Sequence, residues 1–326
     1  RLLLAGADVY FAGLAGWLAI YLLFGDRWPL LFAVNSFAVY LFTPLPVAAA
    51  IGLAARRKRL LAAALAGALV WAAFFGRLFL PRFGTAHAEA PTLRVMTTNV
   101  LGFNTQVEAL VRSLRASRAD VIGIQELNPL LAAAIQRGLR DEYPHQVLDP
   151  REGVTGSGVI SRHPLALTGE SLPGPWLGTP HVLRVDLPGG RAVTLVRFHA
   201  YSGIHQVKER EDAARALAGC AAAHVGPLVA LGDLNATGLS DAHRTITRAL
   251  SDTWEARGQG PGHTFPGAYS PGSARPRLGP IPAPRWLIRI DDVFYSDHFA
   301  AQAAEIGPWD GWSDHRPVVA DLVLKD

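Results

Sequence analysis

The stretch Pro227-Leu-Val-Ala-Leu-Gly-Asp-Leu-Asn235 decides the reading of this chain. Residues 227–231 form an apolar run too short for an ordinary helix and without polar alternation. Closed by Gly232, it reads as a strand buried on both faces. Asp233 and Asn235 then stand where the strand leaves the core. Two residues apart on an extended chain, they point the same way. A carboxylate and an amide so placed can hold a water or metal with one group and a phosphate oxygen with the other. Gly-Asp-x-Asn is also an ordinary turn, so the decision rests on the residues around it.

Polar residues recur where other strand-like runs stop. Asn99 closes the run in Thr97-Thr-Asn-Val-Leu-Gly102, Glu126 follows Ile124-Gln, and His199 ends Thr194-Leu-Val-Arg-Phe-His199. Asp291 lies in Arg289-Ile-Asp-Asp-Val-Phe294, and Asp314 and His315 in Trp312-Ser-Asp-His-Arg-Pro317. Each alone reads as a cap or turn, but so many at strand ends are hard to explain as independent caps. Carboxylates with an amide and no thiolate suit a hard cation such as Mg²⁺ or Mn²⁺. Two histidines with carboxylate partners suit proton transfer and stabilisation of phosphoryl charge. A His paired with an Asp has its pKa raised and its tautomer set.

From residue 91 onward, short apolar strands alternate with amphipathic helices. Strands are expected near 93–100, 120–126, 145–148, 157–161, 182–187, 192–198, 287–295 and 317–324, and helices over about 107–114, 129–139, 206–223 and 241–250. The pattern predicts an α/β domain with mixed pairing and more than one sheet. Residues 259–285, rich in Pro and Gly, read as a long loop beside a site. The single cysteine, Cys220, excludes an intrachain disulfide and reads as a buried apolar residue in a helical run.

The order Asn, Gln-Glu, His, Gly-Asp-Leu-Asn, Ile-Asp, Ser-Asp-His resembles the endonuclease/exonuclease/phosphatase superfamily, the deoxyribonuclease I-like fold, over about residues 92–324. The resemblance implies a four-layer α/β/β/α sandwich of two mixed sheets and metal-dependent phosphoester hydrolysis. By position it implies Glu126 as metal ligand, with Asn99 beside it and Asp314 as a metal-side or water-positioning carboxylate. Asp233 is then the group that orients or deprotonates the attacking water, and Asn235 a phosphate contact, as Asn99 is also. His315 stabilises the phosphoryl group or assists proton transfer, Asp291 is its carboxylate partner, and His199 is a phosphate-contacting or acid/base histidine. Two positions depart from the pattern. Asp292 stands where relatives carry His or an aromatic residue, and Leu101 where some DNA-repair members carry a further acidic ligand.

Apolar residues concentrate before residue 82. Segments 2–24, 29–55 and 60–80 each approach the roughly 20 residues that span a bilayer core as a helix, and no polar face recurs in them at helical spacing. Three transmembrane helices are therefore expected over residues 1–82, followed by a linker at 83–91 and the catalytic domain at 92–326. Trp17, Tyr21, Trp28 and Trp71 are expected near the interfaces. Asp8 and Arg77 are expected near span ends, and Pro44 and Pro46 to kink or shorten the second span. Ala86-His87-Ala88 resembles a signal-peptidase site, although the apolar stretch before it is long for a signal peptide.

The only dense basic run, Arg56-Arg-Lys-Arg59, lies between the second and third spans. By the positive-inside rule that loop is cytoplasmic, which leaves the catalytic domain outside the cytoplasmic membrane. The first 90 residues hold 8 of the 31 Lys and Arg and 3 of the 27 Asp and Glu, leaving 23 and 24 for the rest. The catalytic part is thus near neutral, whereas a dedicated DNA binder usually presents a basic face. Arg275, Arg277, Arg285 and Arg289 form a candidate local strip. Phe265, Tyr269 and Trp286 are candidates to meet headgroups or bases. The expected partners are the lipid bilayer and a phosphoester substrate. A lipid-linked or small phosphodiester is favoured over nucleic acid and over a phosphomonoester, and a non-catalytic module is the remaining alternative.

Overall fold

Strands buried along their whole length, at residues 121–125, 157–161, 228–233 and 291–295, lie at the centre of two six-stranded sheets, and the polar strand ends follow from how the strands register. The computed structural model describes residues 1–81, 92–267, 277–278, 280–282 and 284–325. The expected linker, Ala86-His87-Ala88, Tyr269 and Arg275 lie outside the described residues.

The N-terminal part holds α1 (Leu2–Phe24), α2 (Pro29–Ser36), a 3-10 turn (Ala38–Phe42), α3 (Leu45–Ala54) and α4 (Lys58–Phe75), with a second 3-10 turn at Gly76–Phe79. The catalytic part follows with β1 (Thr92–Asn99), α5 (Val107–Ala116), β2 (Val121–Gln125), α6 (Pro129–Gly138), β3 (His145–Asp149), β4 (Ser157–Ser161) and β5 (Leu165–Leu167). Next come β6 (His181–Leu187), β7 (Arg191–His199), α7 (Val207–Ala223), β8 (Leu228–Asp233), α8 (Asp241–Ile246), β9 (Ser251–Asp252) and α9 (Thr253–Arg257). A small ribbon of β10 (Arg277–Leu278) and β11 (Ile281–Pro282) precedes β12 (Asp291–Tyr295), β13 (Phe299–Ile306) and β14 (Val318–Leu324).

One sheet runs β13-β14-β1-β2-β4-β3 and the other β5-β6-β7-β8-β12-β9. Both are mixed, as expected. The pairs β1/β2 and β7/β8 are parallel, and each is joined by a crossover helix, α5 and α7 respectively. Facing side chains such as Val95, Val121, Leu195 and Leu231 fill the space between the sheets. Leu110, Leu114, Leu131 and Ile135 from α5 and α6 cover the outer face of the first sheet, and Ala213 and Leu217 of α7 that of the second. The result is four layers. Asn128 caps α6 by accepting from the Leu131 amide at 2.8 Å, with Pro129 opening the helix. Gly232 is required by close packing, because a Cβ there would lie 2.1 Å from the Phe198 carbonyl oxygen.

Several elements differ from expectation, among them the short β5, β9, β10, β11 and α9, which were not expected. The strand near 287 begins only at Asp291, and α8 ends at Ile246. Strand β13 (Phe299-Ala-Ala-Gln-Ala-Ala-Glu-Ile306) was not expected, because its alanines favour helix; pairing with β14 over its whole length overrides that preference.

Helices 2–24 and 58–79 are each long and apolar enough to cross a membrane. The second expected span is not one straight helix. Residues 29–36 and 38–54 are bent by 64°, so the described residues hold two such helices, or three if the bent pair counts as one. The break falls at Ser36–Phe37, ahead of the prolines; Pro44 and Pro46 instead sit in the first turn of α3, where the missing amide hydrogen costs nothing. Trp17 stacks on Tyr21 at 5.7 Å and donates to Asn35 Oδ1 at 3.0 Å inside the helical cluster. Asp8 pairs with Arg59 at 2.9 Å, which sets the start of α1 beside the start of α4. At the opposite end the helices pack on the catalytic part. Asp26 and Asp241 exchange backbone-to-carboxylate hydrogen bonds of 3.1 and 2.9 Å, Tyr21 donates to the Leu239 carbonyl at 3.2 Å, and Gly260 donates to the Leu78 carbonyl at 2.7 Å. Gly25 stands at φ 61°, where a Cβ would come within 2.3 Å of Asp241 Oδ2.

Candidate active site

The polar strand ends meet because of register. On parallel β1 and β2, Asn99 lies opposite Gln125, which puts Glu126 one residue further out. In the other sheet Asp233 of β8 lies opposite both His199 of β7 and Asp291 of β12. The two sheets face each other, so these ends converge on one cleft of about 420 Å³, whose lining includes Glu126, Asp233, Asn235, Asp314 and His315.

Asn99 ties the halves together. Its Nδ2 donates to Glu126 Oε1 at 3.0 Å and to Asp233 Oδ2 at 3.1 Å, while its Oδ1 accepts from the Leu101 amide at 3.0 Å. The second Glu126 oxygen accepts from the Gly102 amide at 2.8 Å. Glu126 (φ 59°), Leu101 (φ 64°) and Asn235 (φ 52°) all adopt left-handed backbone, a strained state for Glu and Leu that concentrates here. Asn235 donates to the Ala200 carbonyl at 3.0 Å, and its amide donates to Asp233 Oδ1 at 2.8 Å.

His315 Nδ1 bonds Asp291 Oδ2 at 2.8 Å, and its Nε2 lies 3.8 Å from Asp233 Oδ2. Donor atoms of Asp233, Asp291 and His315 all fall within 4.8 Å of one another. The loop carrying His315 is held by Ser313, which donates to the Asn99 carbonyl at 2.7 Å and accepts from the His315 amide at 3.0 Å. Burial works against the charged form of His315, but Asp291 and Asp233 override it and hold the pKa well above 6.5. Burial raises the Asp233 pKa well above the usual carboxylate value; the nearby His315 opposes this and Asp291 adds to it. His199 Nε2 lies 3.5 Å from Asp233 Oδ2, yet burial, with Arg197 and His315 adding to it, lowers its pKa to about 3. His199 is therefore neutral, and its contact with Asp233 is a dipolar one rather than an ion pair.

The residues fit a hard cation. Glu126 and Asp314 both line the cleft, and burial raises the Glu126 pKa, with the Asp314 charge adding to the rise. Ionisation of the buried Glu126 beside the Asp314 charge is costly, and a divalent ion held by these two residues would offset that cost. Asn99 donates to both Glu126 and Asp233 and accepts from the Leu101 amide, which places it between the two carboxylates.

One of the two departures has a structural account. Asp292 points away from the cleft into a buried network, where Arg289 pairs with both Asp292 and Asp252, and Asp252 bonds His243 at 3.0 Å. Arg289 is thereby removed from any surface basic strip. Phe265 packs on His315 at 5.0 Å, and Trp286 packs edge-on to Trp309 and under Arg316. Sequence reasoning missed Ser313, the Gly102 amide and the α2 segment, whose Phe32, Ala33 and Ser36 line the cleft together with Phe37 just after it.

Proton-transfer groups and hard oxygen donors in one cleft serve one chemistry that uses both, the metal-dependent hydrolysis of phosphoesters. The chain belongs to the Endonuclease/Exonuclease/phosphatase family, which matches residues 96–315. It is similar to an endonuclease/exonuclease/phosphatase from Beutenbergia cavernae, at 25% identity and TM-score 0.50 over 72% of each chain. It also resembles the human Nocturnin catalytic domain (15% identity, TM-score 0.54, 72% of this chain and 96% of that one). Another similar structure is D. rerio TDP2 complexed with a single-strand DNA product (17% identity, TM-score 0.55, 71% and 98%). No curated protein sequence gives a significant match.

Proposed function

We propose that the chain is a membrane-anchored phosphodiesterase that acts outside the cytoplasmic membrane on lipid-linked or small phosphodiesters, with Mg²⁺ or Mn²⁺ held by Glu126 and Asp314. The observation that carries this reading is the direct packing of the apolar helices on the catalytic part, on the side where the cleft opens between them. A divalent ion at this position supplies neutralisation of a phosphate oxygen. Asp233 takes the proton of the attacking water at Oδ2, a task suited to a carboxylate of raised pKa. Protonated His315, balanced by Asp291, donates toward a phosphoryl oxygen as charge develops there. Asn235 and neutral His199 contact the phosphate, and Asn99 orients Glu126 and Asp233.

Nucleic acid is the second reading. The TDP2 structure holds a DNA product, but a likeness at 17% identity speaks for the fold alone. The near-neutral charge of residues 91–326 and the burial of Arg289 favour the first reading.

Sidedness rests on Arg56–Arg59, which lies with the start of α1 at the end of the helices away from the catalytic part. Alkaline phosphatase fused after residue 90 is expected to be active in cells and green fluorescent protein at that point dark; the reverse pair of results inverts the topology. With Mg²⁺, the full chain in detergent is expected to turn over a soluble aryl phosphodiester faster than the matching monoester. A preference for the monoester would make it a phosphatase.

A further inference from the structure

Phe32 belongs to the N-terminal helices by sequence but to the catalytic core by packing. It is buried with Val207, Ala200 and Phe198, and the Arg210 guanidinium sits 3.9 Å from its ring centroid. The same guanidinium donates to the Tyr201 and Gly203 carbonyls at 2.8 Å each, which sets the loop that carries Ile204. Across the cleft, Tyr40 donates to the Leu287 carbonyl at 2.9 Å, next to Ile288. The α2 segment is thereby clamped as one wall of the catalytic cleft. Above the acidic floor the lining is apolar: Phe32, Ala33 and Phe37 from the N-terminal part meet Phe103, Ile204 and Phe265 from the catalytic part. Phe37, Phe103 and Ile204 remain 41%, 56% and 51% exposed, so this surface is open for contact.

We infer that this wall is a substrate subsite that receives the hydrocarbon chain of a phosphodiester lipid, so that the membrane anchor itself completes the active site. The inference rests on the phosphodiesterase reading above and names the lipid contact within it. Three features select a hydrocarbon chain as the occupant. The wall offers apolar side chains with few polar partners, where a base or sugar needs hydrogen bonds. Phe37 runs directly into the segment 38–54 of the bent apolar pair, so the wall is continuous with helices apolar enough to lie in a bilayer. The phosphate-directed groups lie at the floor of the same cleft, which sets the chain on the wall when the phosphate is on the floor.

The test compares one phosphodiester lipid in short-chain and long-chain forms, with the full protein in detergent micelles and Mg²⁺. Each methylene moved from water to an apolar wall is worth about fourfold in affinity. Phe37→Asp and Ile204→Asp are therefore expected to lower the long-chain over short-chain ratio of kcat/KM by at least ~10-fold. Leu30 is on α2 but outside the cleft lining and 74% exposed, so Leu30→Asp is expected to leave that ratio within about twofold. A ratio unchanged in Phe37→Asp and Ile204→Asp overturns the subsite. So does an equal fall in Leu30→Asp, which would trace the effect to general micelle contact. If the wild type cleaves neither lipid form, the phosphodiesterase-on-lipid reading itself fails, an outcome distinct from an unchanged ratio.

Discussion

Asp233→Asn is expected to lower phosphodiester turnover by at least ~10²-fold, the scale of a lost general base, in a protein that still folds. The folded state survives because Asp233 is a desolvated carboxylate beside Asp291, and an amide of the same shape removes that electrostatic cost. His315→Ala is expected to lose a similar factor through loss of charge stabilisation at the phosphoryl oxygens. A pH measurement separates the two. Below the unfolded value near 6.5, the raised pKa of His315 contributes its full stability. That contribution is lost as pH rises through the higher folded value. Wild-type stability should therefore decline on the alkaline side more than that of His315→Ala. Near-normal turnover in either folded variant contradicts these assignments.

Removal of divalent metal is expected to abolish turnover, and Mg²⁺ or Mn²⁺ to restore it. The variant Glu126→Gln should weaken Mn²⁺ binding, read by calorimetry or electron paramagnetic resonance, by at least ~10-fold. The amide keeps the acceptor for the Gly102 amide but loses the charge that a hard cation requires. Asp314→Asn should weaken binding in the same direction, since its carboxylate faces the same cleft. Full activity in EDTA, or Mn²⁺ affinity unchanged in both variants, removes the metal from this site.

Much of the site was legible because strand geometry is local and periodic. A polar residue at the end of a buried run emerges where the strand leaves the sheet, as Asn99, Glu126, His199, Asp233 and Asp291 do in two facing sheets, with His315 in the loop just before β14. The groups that orient them were not legible. Nothing in the spacing of Ser313 or Gly102 says which chain segment their hydrogen bonds will reach. Arg289 looked like a surface cation because burial of a charge depends on partners distant in sequence, here Asp252. The α2 segment was hidden for a related reason. Hydropathy marks residues 29–55 as mostly apolar, but not that Phe32 leaves the helical cluster to present its ring face to the Arg210 guanidinium. The deviation of β13 from its alanine composition has the same origin, pairing with a partner strand outweighing local preference.

The decisive measurement sets wild type and Asp233→Asn, as full chains in nanodiscs with Mg²⁺ at about 150 mM salt, against two substrates, a phosphodiester lipid and supercoiled plasmid. Products are read by mass spectrometry for the lipid and by gel for the plasmid. The expected result is lipid hydrolysis by the wild type, at least ~10²-fold slower in Asp233→Asn, with the plasmid left largely intact. Efficient nicking of the plasmid with the lipid untouched would contradict the reading and make the protein a nuclease.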